Sequence, residues 1–335
     1  MDAAPQLVER GIRRGIAWCG GIAIVMGMVL AALLGRPAAH ATGPPPGFLP
    51  RGADTLHIRL NTVDTLATFT APSAVRRDAR GRLYVLEPAQ HQVHVLTPHG
   101  TTQRTVGGAG ARAGQLRRPA GFDPTNGHVL LIADTGNGRI QRLDASGQAL
   151  EVVPIPYQAA GLTPVYPSSQ GTAAPTGTGR PRAVQATAGD GWVVVESDAP
   201  AVWYLGDDRA PLRRLVPFDT RFADWRPHAL VGSTSGATWV LDAEAPHVVI
   251  TDAFGTIIAQ RRIAGVAAAG FVDGFALGEA VGLVQARGIV LIDAETQRPR
   301  RHWRWPAAAA PLQSVTASRD SLYLLAGPHL LSMPR

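Results

Sequence analysis

VGGAGARAGQLRRPAGFDPTNGHVLLIADTGNGRIQRLD, residues 106–144, is the stretch on which the fold turns. A glycine-rich turn leads into G-Q-L-x-x-P, and a short strand ends at a turn around Asn126-Gly127. An apolar strand from His128 to Ala133 then runs into Asp134-Thr-Gly-Asn-Gly, and a further strand begins at Arg139. Asn-Gly and Gly-rich punctuation between short apolar runs is the pattern of antiparallel strands joined by tight turns. The glycines at 107, 108, 110 and 114 are not a phosphate loop, because no Gly-Lys-Ser/Thr follows and no helix is predicted.

The same pattern recurs. Centres of the apolar second strand fall at Tyr84, Leu131, Val193, Trp239, Leu283 and Tyr323, spaced 47, 62, 46, 44 and 40 residues apart. Pro72, Glu87 and Gly100 of the first unit reappear, 47 positions on, as Pro119, Asp134 and Gly147. A period of about 40–50 residues is what one four-stranded propeller blade needs. The unit quoted above resembles an NHL repeat. That resemblance implies a β-propeller that binds partners through loops on one face. The expected fold is all-β: six four-stranded antiparallel blades, closed by an N-terminal strand and preceded by one N-terminal apolar helix. The sixth unit runs out after its third strand. The alternating ribbon Leu56-His-Ile-Arg-Leu-Asn61 is therefore predicted to complete it and close the ring.

The chain of 335 residues divides into 1–41, a leader; 42–53, a proline-rich linker; and 54–335, the propeller. Arg10, Arg13 and Arg14 precede an apolar run from Ile16 to Leu34, followed by Ala39-His40-Ala41. This reads as an export signal cleaved after Ala41, or as an uncleaved membrane anchor with the arginines inside. Both place the propeller outside the cytoplasm, in the periplasm or on the cell surface. Cys19, the single cysteine, lies in the leader, so the exported domain has no disulfide. All 32 basic residues are arginine, and the net charge of +7 is scattered rather than gathered into a stripe. A diffuse charge says little about partners.

Five second strands end on or near a polar residue: Glu87, Asp134, Glu196, Asp242 and Gln285. Recurrence blade after blade favours a turn-capping role over a ring that holds a cation. His91, His247 and His329 open third strands on blades one, four and six, too far apart to share one ion. Asn137 and Arg139 form the diagnostic turn. Residues 154–180, with Tyr157 and Tyr166, read as a long loop on the same face. The candidate binding face is therefore Glu87, His91, Asp134, Asn137, Arg139, Glu196, Asp242, His247, Tyr157 and Tyr166. The basic-aromatic cluster Arg298–Trp305 is expected on an outer strand, where its arginines blunt an exposed edge.

No catalytic residue, resident metal or cofactor is expected, and no nucleic acid. The partner expected is a protein or glycan of the cell envelope. The alternative is an enzyme of the propeller lyase or lactonase kind, with calcium or zinc at the central channel. No chain residues match the metal ligands that this resemblance implies.

Overall fold

The computed structural model describes residues 54–124, 126–155, 179–197, 201–207, 213–216, 222 and 224–335. The leader, the linker, Tyr157 and Tyr166 lie outside the described residues. Among those described, no helix is long and apolar enough to cross a membrane; the run Ile16–Leu34 is not among them. Among the described residues helical geometry is confined to single 3-10 turns such as Pro88–Gln90 and Thr135–Asn137.

The chain forms six antiparallel blades, each with an inner, second, third and outer strand. Blade one comprises Ala74–Arg77, Leu83–Glu87, Gln92–Leu96 and Thr102–Gly107. The second strands Leu83–Glu87, Trp192–Glu196 and Thr238–Asp242 are buried at every position. Both their faces are covered by neighbouring blades, so they read as unbroken apolar runs rather than alternating ones. Outer strands touch a neighbour on one face only, and Ala149–Pro154 accordingly alternates in burial.

The core is six separate clusters, each built from two adjacent blades. Leu116 of the G-Q-L turn plugs the blade one–two cluster beside Tyr84, Leu86 and Phe122. Val75, Leu83 and Leu96 meet Tyr323, Leu325 and Leu330 across the blade one–six seam. An open row of six blades would have five such interfaces; the sixth is the closed ring.

Closure uses an N-terminal strand, but not the expected one. Asp64–Thr68 pairs antiparallel with His329–Pro334, with Asp64 opposite Ser332 and Thr68 opposite His329. The earlier ribbon Asp54–His57 instead runs parallel to Pro299–Arg304 and adds a fifth strand to blade five. Leu56 and Leu60 are exposed, whereas Ile58 enters the blade five–six cluster with Trp303 and Trp305. The reason for the shift is connectivity: the closing strand must hand over directly to the inner strand at Ala74, and Leu66, Ala67 and Phe69 pack on the seam as it does so. The same ribbon corrects the reading of Arg298–Trp305. Its edge is covered rather than bare, and its tryptophans are core residues.

The long insertion after blade two leaves and returns at one point, since Gly179 N–H donates to Ile155 O at 2.7 Å. Blades two and three therefore pack as closely as the others. Gly121 shows how closely: a Cβ there lies 2.5 Å from Arg182 O and 2.9 Å from Ala183 Cα. Both are backbone atoms of the next inner strand, which cannot yield locally. Gly121→Ala is expected to cost about 1–3 kcal/mol, read as a lower urea midpoint at unchanged m-value.

Candidate functional site

The predicted face residues are built into the blades. Glu87 accepts from Thr70 and Ala71 N–H at 2.8 and 3.1 Å and meets His94 Nε2 at 2.6 Å. Burial alone would raise its carboxyl, but these donors outweigh burial and hold it below the usual range. Asp134 accepts from Arg117 N–H, Asn137 Nδ2, Arg139 Nε and Gln141 Nε2. Asp242 accepts from Arg226, Glu244 and Ala245 N–H, and Glu196 from Trp203 Nε1. Gln285 donates to Ala267 O and Ala269 O. Each of these buried groups ties its second strand to a neighbouring loop or third strand.

Arg139 reaches further. Its guanidinium donates to Ala111 O, Arg112 O and Gln115 O, stapling the glycine-rich turn. His91 takes a left-handed backbone and accepts from Arg118 N–H. His247 lies 4.6 Å from the Phe222 ring, and His329 Nδ1 is 3.1 Å from Thr68 Oγ1 on the closing strand. The three histidines thus serve three separate places. Among the described residues no group of three His, Cys, Asp or Glu converges as a metal-ligand set.

What the fold does bring together is the axial channel. The inner strands of all six blades enclose a cavity of about 280 Å³ lined by Ser73, Arg76, Arg182, His228, Asp273 and Gln313, among others. Arg76 and Asp273 form a two-pronged ion pair, with Nη1–Oδ2 2.8 Å and Nη2–Oδ1 2.7 Å. Asp273 also accepts from Ser314 Oγ and from Val315 N–H. Ser314 in turn accepts from Val75 N–H, so the network spans blades one, five and six. Burial opposes the Arg76 charge, but Asp273, helped by Asp123, holds its pKa above the usual value.

The other cation has no such partner. Among the described residues the Arg182 side chain makes one hydrogen bond, from Nη2 to His228 Nε2 at 3.2 Å. Burial lowers the Arg182 pKa. Burial first, and then Arg182, push His228 down to about 4, against the pull of Asp273, a backbone hydrogen bond with Val272 and the charge of Asp242. His228 is therefore a neutral acceptor at pH 7. Ser73 Oγ and Gln313 Oε1 are buried without a hydrogen-bond partner among the described residues. A larger cavity of about 650 Å³, bordered by Asp123, Asp190 and Asp207, lies at the opposite strand ends, by the turns joining inner to second strands.

The depressed His228 value fixes a pH effect. Unfolded His228 takes a proton near pH ~6.5; folded His228 does not until about 4. Its contribution is fully present above the unfolded value and is lost as pH falls through this window. The loss is about 2 kcal/mol, allowing for its partial exposure. Thermal melts from pH 7 to 4 should show the decline, and His228→Gln should flatten it; burial lowers His302 too, which leaves a smaller slope.

Sequence reasoning missed the channel, although a signal existed. Fourteen positions before Glu87, Asp134, Glu196 and Asp242 stand Ser73, Ala120, Arg182 and His228. Aligning on these four capping residues therefore reads out one channel-lining residue in each of blades one to four, three of them polar, whereas the same offset from Gln285 gives the core residue Phe271.

The fold and channel define a six-bladed β-propeller with a polar, arginine-bearing axial cavity. No family model matches the chain, and no curated protein matches it. Among solved structures it is similar to a selenomethionine-substituted virginiamycin B lyase from Staphylococcus aureus, with TM-score 0.56 and 10% identity over 82% of this chain and 99% of that one. It is similar also to a gluconolactonase from Xanthomonas campestris, with TM-score 0.55 and 16% identity over 81% and 89%. The structure of U3-55K gives TM-score 0.55 and 10% identity over 85% and 100%. At these identities the likeness shows the fold alone, which enzymes and scaffolds share.

Proposed function

We propose that the chain is a non-catalytic, exported binding module whose ligand or partner sits at the end of the ring where the second strands finish and the inner strands begin. One observation carries this reading. The carboxylates of Glu87, Asp134 and Asp242 at the second-strand ends are filled by the protein's own donors, while the adjoining channel presents Arg182, whose side chain has no carboxylate partner among the described residues. Groups held that way supply a fixed, pre-formed surface rather than a free acid, base or nucleophile. The basic apolar leader, with Ala39-His40-Ala41, supports export, so a protein or glycan of the cell envelope is the partner class and nucleic acid is not.

The lyase and gluconolactonase neighbours favour a second reading, an enzyme with calcium or zinc at the central channel. The lining residues fit that poorly. Two guanidinium groups face the cavity, and Asp273 is saturated by Arg76, Ser314 and Val315. A divalent cation there needs several free oxygen or imidazole donors. Metal analysis of the purified full chain should find no stoichiometric calcium or zinc, and chelator should leave its melting temperature unchanged. One tightly held equivalent whose removal lowers that temperature would sink the binding-module reading in favour of the enzyme.

A further inference from the structure

We infer that the outer edge of blade five is a strand-addition site for an extended, acidic segment of another protein, and that residues 54–58 occupy it in cis as a removable strap. The site lies on the rim of the ring, so it goes beyond the face reading and does not depend on it.

The strap is an addition to its blade. Among the described residues every other strand pairing within a blade is antiparallel, and only Asp54–His57 runs parallel to its neighbour. Parallel pairing is the weaker kind per residue. Beyond those four residues, one backbone bond runs from Ile58 N–H to Arg304 O at 3.1 Å. Thr55, Leu56 and His57 are exposed, and Ile58 alone enters the core, in the cluster of Trp303 and Trp305. The 3-10 turn Leu60–Thr62 and the half-buried Val63 then separate the strap from the closing strand Asp64–Thr68. The strap can therefore lift while the ring stays closed.

Backbone, apolar contact and charge define what replaces it. Lifting the strap bares one row of N–H and C=O groups along Pro299–Arg304, beside two tryptophans that are now buried. An unpaired edge of this kind invites an added strand. Of its arginines, Arg300 meets Asp293 and Glu279, and Arg301 stacks over the Trp303 ring. Arg304 is exposed and meets no carboxylate among the described residues. The strap sets His57 in register with it. An acidic residue at that position makes the opposite-charge cross-strand pair that the strap lacks. The next position, held by Ile58, calls for a branched apolar side chain among the tryptophans. The segment that fits is therefore extended, with an acid directly before an apolar anchor.

A second copy fits worse. The outer strands Thr102–Gly107, Arg213–Leu215 and Ile257–Arg262 carry arginines of their own. Pairing edge to edge sets like charges against each other.

The test is fluorescence anisotropy of labelled peptides spanning residues 54–61, titrated with the full chain. One peptide is unsubstituted, one carries His57→Glu, one His57→Lys, and one His57→Glu with a methyl group on the Ile58 nitrogen. The Glu peptide should bind saturably to the full chain carrying Ile58→Asn, whose strap has lost its anchor, and about tenfold more weakly to the unaltered chain. The Lys peptide should bind the Ile58→Asn chain about fivefold more weakly than the Glu peptide, and Arg304→Gln should remove that difference. The N-methylated peptide should not bind, because it cannot donate to Arg304 O. Circular dichroism reports whether the variants fold. If Ile58→Asn does not, hydrogen exchange on the unaltered chain decides: excess Glu peptide should speed exchange at the Ile58 amide and leave Asp64–Thr68 protected. No saturable binding, equal affinity for the strapped and loosened chains, binding of the N-methylated peptide, or unchanged Ile58 exchange under excess peptide overturns the site. Equal affinity for the Glu and Lys peptides overturns the acidic partner, and unsubstituted peptide binding as tightly as the Glu peptide does so in favour of a strap exchanged between copies.

Discussion

Asp273→Asn is expected to destabilise the folded chain by about 3–5 kcal/mol. Asp273 is nearly fully buried, and it carries the negative half of the ion pair with Arg76. Removing that charge leaves the guanidinium in the channel beside Arg182, with two cations and no compensating carboxylate among the lining residues. The loss is not one bond. Asp273 also fixes Ser314, which meets both Val75 N–H and Arg76, so the network joins blades one, five and six. Urea unfolding at pH 7 measures the cost. Removing the cation as well should return part of it: Arg76→Met with Asp273→Asn should be less destabilised than the two single variants summed. Additive losses would mean that the pair is a bystander to two independent packing effects.

The blades were legible because their second strands are covered on both faces, which forces unbroken runs such as Leu83–Leu86 and Trp192–Val195, and because the intervening turns need glycine at positive φ, as at Gly100 and Gly147. The six-fold count followed from spacing. The closing strand was not legible, because Leu56–Asn61 alternates cleanly while Asp64–Thr68, D-T-L-A-T, does not. Only the seam packing of Leu66 and Phe69 decides for the second. The candidate site was harder still. Arg76, Arg182, His228 and Asp273 come from four blades, and none of them recurs from blade to blade. Local pattern sees an exception in a strand, whereas the ring makes them neighbours. The recurrent polar residues drew attention instead, and recurrence marks what every blade needs, not what one site does.

Relative to a chain beginning at Asp54, one beginning at Asn61 should keep the ring closed, and one beginning at Thr70 should not. The first cut removes the parallel ribbon on blade five and the buried Ile58, a loss of about 1–3 kcal/mol. The second also removes the outer strand of blade six, stripping the ladder from His329–Pro334 and taking Leu66, Ala67 and Phe69 from the seam over Val75, Leu83 and Tyr323. Leu66 and Phe69 are half-buried, so their packing is worth about 1.5–3 kcal/mol before any ladder hydrogen bond is counted, out of a total stability of about 5–15 kcal/mol. The shorter chain also exposes an unpaired edge, which invites pairing between copies. Size-exclusion chromatography and urea unfolding should therefore find the chain from Asn61 monomeric and cooperative, and the chain from Thr70 aggregated or largely unfolded. A peptide spanning residues 62–69 added to the latter should restore cooperative unfolding by strand addition, and one spanning 54–61 should not. Equal collapse of both truncated chains, or rescue by the 54–61 peptide, would return closure to the earlier ribbon.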